Sequence, residues 1–231
     1  MGLAVYAETF VGNGYAVLVF DYRRWGGSDG SPRNVLLVSE QLEDYRTGSS
    51  FSGGHVLQLA SEDQEIGGAI IQCPFIDGIA SALGLSVLPS LKVMPFAIYD
   101  IVRQARGFSP YYVPTVAPVG GFGVLCKPGT HTNMFQLQGA SGDFPNQIQA
   151  SAVFQFPLYR PGTVAKNIKC PVLVCVPESD NLCPPSATKK AVQTIPKGKA
   201  VTIRGGGCKQ NESVVIDLLA DLLTGHFDCY P

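Results

Sequence analysis

Three continuous apolar runs constrain this fold more than anything else in the chain: Tyr15–Asp21, Ile66–Cys73 and Pro171–Pro177. Such runs, rich in β-branched residues and lacking polar alternation, mark strands buried on both faces of a parallel sheet. Ala200–Arg204 reads as a fourth strand. Between the strands lie segments of helical character. Leu3–Val11 carries Leu3, Tyr6, Ala7 and Phe10 at helical spacing, and Gly12 and Gly14 end it. Val35–Arg46, His55–Glu62, Ser186–Ile195 and Ser213–Leu223 read as further helices. Strands alternating with helices predict an α/β fold, a mainly parallel sheet flanked by helices.

The segment from 75 to 168 interrupts this alternation. It is rich in Pro, Gly and aromatic residues, and it carries helical patterns at 90–106 and 144–157. It is expected to be a helical and irregular cap insertion within a single domain spanning 1–231. A chain of 231 residues is long enough for one sizeable core and such a cap.

Composition excludes several functions. Lys plus Arg number 17 and Asp plus Glu 18, so the balance offers no basic surface for a nucleic acid or an anionic membrane. The seven cysteines form no Cys-x-x-Cys pair and no Cys/His ligand spacing, so neither a metal site nor a cofactor is expected. Several sit in apolar runs as small hydrophobes, which favours a reducing, cytoplasmic setting. The first residues show no basic start followed by an apolar run, so a secretory leader is not expected, and neither is a bilayer-spanning segment. Gly12-Asn-Gly14 precedes a strand rather than following one, so it is not a phosphate cradle. Oligomeric state is left open.

Three places carry chemistry. Gly48-Ser-Ser-Phe-Ser-Gly-Gly54 gathers small residues before a helix. A serine nucleophile on a sharp strand-to-helix turn needs them, because the backbone is strained and two segments pass closely. A Gly/Ser linker or a helix cap would explain the same letters. Asp180 follows the end of the third run, the edge of an open α/β sheet where chemistry gathers. A turn or capping aspartate is the alternative there. His226 is one of only three histidines, with His55 and His131. A structural histidine is the commoner role, but the order serine, acid, histidine is that of an α/β-hydrolase triad.

Several blocks together resemble α/β-hydrolases. Tyr15–Ser28 (YAVLVFDYRRWGGS) is similar to a central strand and its loop. Ser50–Leu57 (SFSGGHVL) resembles the elbow of a microbial and fungal subgroup carrying Gly-Thr-Ser-Phe-Ser-Gly-Gly-His. Gln72–Gly78, Leu158–Pro161, Pro171–Pro185 and Gly225–Tyr230 resemble further blocks of that subgroup. The resemblance implies a serine hydrolase of the esterase or serine-aminopeptidase kind, whose expected partner is a small ester or peptide-like substrate. It assigns Ser50 as nucleophile, His226 as general base and then acid, and Asp180 as its orienter. The Phe51 amide becomes an oxyanion donor, and Ser52 the alternative nucleophile.

Departures from that pattern bear on activity. In that subgroup a strand and loop before the first helix supply a second oxyanion amide, and this sequence is expected to be without them; removing one such donor costs about 10²–10³ in turnover. Asp44–Thr47 runs straight into Gly48, where a central strand leading into the elbow is expected. Gly205–Thr224 separates the fourth strand from His226, which the subgroup joins almost directly. These breaks suggest a rearranged gene product and make a catalytically impaired relative the alternative to an active hydrolase.

Overall fold

The computed structural model describes residues 4–14, 16–17, 19, 21–43, 48–49, 51–84, 87–136, 145–180 and 182–203. Four parallel strands form its sheet, in the order β1 (Gly48–Ser49), β2 (Ala69–Gln72), β5 (Val172–Pro177), β6 (Gly198–Ile203). A two-stranded antiparallel ribbon pairs β3 (Tyr112–Val113) with β4 (Ile148–Gln149). The helices are α1 (Ala4–Gly12), α2 (Val38–Glu43), α3 (Phe51–Glu62), α4 (Gly78–Gly84), α5 (Val87–Ala105), α6 (Thr130–Gln136), α7 (Gln155–Leu158) and α8 (Pro185–Val192). The predicted mainly parallel α/β architecture is what the chain adopts.

Strand β5 is the centre of the sheet, and all six of its residues are buried. Its alternate side chains serve two cores, because successive residues of a strand point to opposite faces. Val172, Val174 and Val176 join Val56, Leu57 and Ala60 of α3 and Ala191 and Val192 of α8. Leu173 and Cys175 face the other way, toward Ile203 and Phe10 of α1. A third core lies within the 75–168 region and the loop before α2. There Val93 and Ala97 of α5 meet Val113, Val124, Ile148, Ala150, Ala152 and Leu36. Asp100 of α5 is wholly buried and accepts the Tyr111 amide at 2.7 Å and the Ser151 amide at 2.9 Å. This carboxylate ties the helix to the residue before β3 and to the 3₁₀ turn after β4.

Three expectations are corrected. None of residues 16, 17, 19 and 21 lies in a strand, and Val17 and Val19 are 38% and 52% exposed. A doubly buried strand needs a full ladder beside it. On that side the described residues of the sheet offer only β1, two residues long. The elbow strand, expected to be missing, is instead retained as this stub, with Gly48 opposite Ile71 and Ser49 opposite Gln72. The helical pattern at 144–157 resolves into β4, a 3₁₀ turn over Ala150–Phe154, and α7. Gln149 decides this: it is buried in the ribbon, accepts the Leu36 amide at 2.6 Å and donates to the Leu36 carbonyl at 2.7 Å. The predicted helix at Ser213–Leu223 lies outside the described residues.

Candidate active site

The elbow region is set by how closely α3 lies on the sheet. A β-carbon on Gly53 would come within 2.7 Å of Ile71 Cγ2 on β2 and 3.0 Å of Pro74 Cβ. On Gly54 it would overlap the Phe75 carbonyl oxygen and approach Pro161 Cγ at 2.9 Å. The two glycines thus let α3 descend onto the C-terminal end of β2 and onto the 159–162 segment. The helix begins at Phe51, four residues before the predicted start at His55.

Two of the sequence blocks singled out above meet here. The Gly78 amide donates to the Tyr159 carbonyl at 3.0 Å, and the Gly162 amide to the Ile76 carbonyl at 2.9 Å. Asp77 caps α4 through the amides of Ile79 and Ala80, at 2.9 and 3.1 Å. The same carboxylate accepts Arg160 Nη2 at 2.8 Å. Burial pushes the Asp77 carboxyl up, but Arg160 and the two amides outweigh it and hold the group below its ordinary value. At the end of β2, Cys73 adopts a left-handed backbone with φ of 47° while its amide donates to the Cys175 carbonyl at 2.9 Å. Backbone in that region is strained for a residue with a side chain, and it turns the chain sharply at the sheet edge.

The sequence-derived candidates are placed as follows. Ser50 falls, in sequence, between the last residue of β1 and the first of α3, and it lies outside the described residues, as does His226. Phe51 opens α3, so its backbone amide belongs to the helix N-terminus. Ser52 is half-buried, and its hydroxyl oxygen accepts the Tyr22 hydroxyl at 2.9 Å. Asp180 stands just beyond β5, partly buried, with Oδ1 accepting the amides of Leu182 and Cys183, each at 2.8 Å. One carboxylate oxygen therefore closes a turn, and Oδ2 takes no hydrogen bond among the described residues. Because β1, β2 and β5 run parallel, the chain leaves β1 and β5 at the same edge of the sheet. Two inter-strand spacings separate them, roughly 10 Å.

Sequence reasoning missed a polar cluster under the elbow. His55 is fully buried on α3, with Nε2 3.2 Å from Gln41 Oε1 and Nδ1 2.7 Å from the Tyr159 hydroxyl. The Gln41 oxygen only accepts, so Nε2 carries the ring proton and Nδ1 accepts from Tyr159. Burial lowers the His55 pKa to about 4, so the ring is neutral. Burial likewise raises the Tyr159 phenol above its ordinary value, with Tyr22 and Glu62 adding to it. Tyr22 meets the His55 ring edge-on at 6.1 Å, and Phe75 stacks on Tyr159 at 6.2 Å. The available signal was His55 itself, a lone histidine among Val56, Leu57 and Ala60 on a helix with a buried face.

Among the described residues, no group of three or more His, Cys, Asp or Glu side chains is placed to hold a metal ion. Burial pushes the Cys175 thiol up to about 12, which keeps it protonated and inert. Among the described residues no helix is long and apolar enough to cross a membrane.

No protein-family model matches the chain. It is 34% identical over 215 residues to the quorum-quenching protein AidA of Acinetobacter baumannii, covering 85% of this chain and 71% of that protein. It is 22% identical over 231 residues to the thiohydrolase aneE of Aspergillus aculeatus, covering 84% and 69%. Its structure superposes on the α/β hydrolase GrgF from Penicillium sp. sh18 with a TM-score of 0.78, at 22% identity over 97% of this chain and 84% of that one.

Proposed function

The chain belongs to the α/β-hydrolase superfamily, and from that premise we propose that it is a serine hydrolase of carboxylic esters. Amides and thioesters fall within the same chemistry, the latter in view of the thiohydrolase among its relatives. Ser50 Oγ attacks the substrate carbonyl while His226 takes its proton. The tetrahedral oxyanion is held by the Phe51 amide at the N-terminus of α3. His226 then passes the proton to the departing alcohol or thiol, leaving an acyl-serine. Water attacks that ester, again deprotonated by His226, and the proton returns to Ser50. Asp180 orients the imidazole and stabilises its cationic form.

The observation that carries this reading is the end of β1 at Ser49 followed by the start of α3 at Phe51, with Asp180 just beyond β5 at the same sheet edge, two strands away. Ser52 fits the nucleophile's role less well, because it sits inside the first turn of α3 and already accepts the Tyr22 phenol. The stacked rings of Phe75 and Tyr159 offer an aromatic wall beside α3 for an apolar acyl group. We place 75–168 as a cap over one domain, and the free state of Cys126, Cys170 and Cys175 suits a reducing, cytoplasmic setting.

Turnover of a short-chain aryl ester tests the assignment. Ser50→Ala and His226→Ala should each lose roughly 10³-fold or more of kcat, as triad members do. Turnover that survives both substitutions overturns it. The two-residue β1 and the exposed Val17 and Val19 favour a second reading, a catalytically impaired relative. A protein that melts cooperatively yet hydrolyses neither aryl esters nor aryl thioesters selects that reading.

A further inference from the structure

We propose that His55 is a positioning residue: held between Tyr159 and Gln41, its imidazole fixes the rotation of α3 and so the aim of the Phe51 amide and Ser50. The proposal rests on Ser50 being the nucleophile. Four elements meet at this one ring. His55 lies one turn after Phe51, and helix side chains lean toward the N-terminus, so the ring lies beneath the first turn. Its Nε2–H donates to Gln41 of α2 at 3.2 Å, and its Nδ1 accepts from Tyr159 at 2.7 Å. Tyr22, from the loop after Asp21, packs edge-on against the ring at 6.1 Å and donates to Ser52 at 2.9 Å. Tyr159 in turn stacks on Phe75, whose carbonyl sets how low α3 sits at Gly54.

The geometry explains why a rigid hub matters here. Apolar contacts are non-directional, so they set the rotation of a helix about its axis less sharply than hydrogen bonds do. At a Cα radius of about 2.3 Å, a turn of about 15° displaces its backbone by ~0.6 Å. Oxyanion and nucleophile geometry tolerates only about 0.5 Å. Stub β1, with its two ladder residues, does little to brace the elbow from the other side. Both ring nitrogens are engaged, and the tautomer is set by the Gln41 acceptor, so the ring has one orientation. Directional hydrogen bonds from two separate segments therefore supply the restraint that a full elbow strand would otherwise provide.

Tyr159→Phe is the sharpest test, because it keeps the ring on Phe75 and removes only the hydroxyl. It should lower kcat on an aryl ester about 10-fold with KM nearly unchanged, the mark of lost alignment. The rate at which a fluorophosphonate labels Ser50 should fall in step. His55→Asn should lose a similar factor, and the double variant no more than the larger single loss, since the two act as one unit. Without its donor, Nδ1 protonates more readily, so the acid limb of the kcat profile should move to higher pH in Tyr159→Phe. In the wild type, the ¹⁵N spectrum at about pH 6 should show His55 as the neutral Nε2–H tautomer. Wild-type kcat and labelling rate in Tyr159→Phe, or an imidazolium His55 at that pH, overturns the positioning role while leaving Ser50 standing. Labelling of the wild type anywhere but Ser50 overturns the catalytic reading, and this proposal with it.

Discussion

The α-carbon of Gly54 faces the carbonyl oxygen of Phe75 so closely that a β-carbon on Gly54 would overlap it. A backbone atom cannot swing away as a side chain can, so Gly54→Ala must lift α3 or push back the loop after β2. Alanine favours a helix over glycine by about 1 kcal/mol, but overpacking a rigid site costs about 1–3 kcal/mol or more. Gly54→Ala is expected to lose about 2 kcal/mol in urea unfolding, against the sense of helix propensity. A variant as stable as the wild type would show that α3 does not sit this low.

Acid should loosen the molecule through His55. Its pKa in the folded protein is about 4, below the ordinary histidine value of 6.5, because burial disfavours the charged ring. The unfolded chain therefore binds more protons than the folded one between those values. Stability is full above about pH 6.5 and is lost as pH falls toward 4, by up to about 3 kcal/mol. Below pH 4 both states are protonated and this contribution no longer changes. Urea midpoints measured across that window should fall for the wild type and fall less for His55→Asn. Parallel pH profiles for the two proteins would contradict the assignment.

Gln149 should behave as a piece of backbone. Its side-chain amide both accepts from and donates to the main chain of Leu36, at 2.6 and 2.7 Å, in a fully buried position. In Gln149→Met the Leu36 carbonyl keeps a donor from Gln155 Nε2 at 2.8 Å, but the Leu36 amide is left without its acceptor. An unsatisfied buried amide costs about 1–3 kcal/mol. The expected loss is about 2 kcal/mol, and hydrogen exchange at the Leu36 amide should accelerate. Unchanged exchange there would show that the contact is not formed in solution.

How much of this was legible in the sequence depended on whether local pattern or distant contact decided the outcome. The runs ending in Cys73 and Pro177 became β2 and β5 because their own residues demand burial on both faces. Tyr15–Asp21 carries the same signal, yet its described residues form no strand, since a strand also needs a neighbour and β1 is two residues long. The helix expected from Val35 starts only at Val38, because Gln149 and Gln155, more than a hundred residues later, claim the Leu36 backbone. At the site, the small residues at 53 and 54 were readable as a close approach. What they approach, Ile71, Phe75 and Pro161, was not. The turn-closing role of Asp180 was already one of its two sequence readings, and its Oδ1 takes that role. The Gln41–His55–Tyr159 chain was invisible, since its members are 14 and 104 residues apart.

Peptide mapping after reaction with a fluorophosphonate is the most direct check on the catalytic account. The reagent captures only a serine whose hydroxyl is activated, and Ser50 and Ser52 are distinguishable by fragmentation of the same peptide. One adduct on Ser50, absent from Ser50→Ala and strongly slowed in His226→Ala, is the predicted result. An adduct on Ser52, or labelling undiminished in Ser50→Ala, would contradict it.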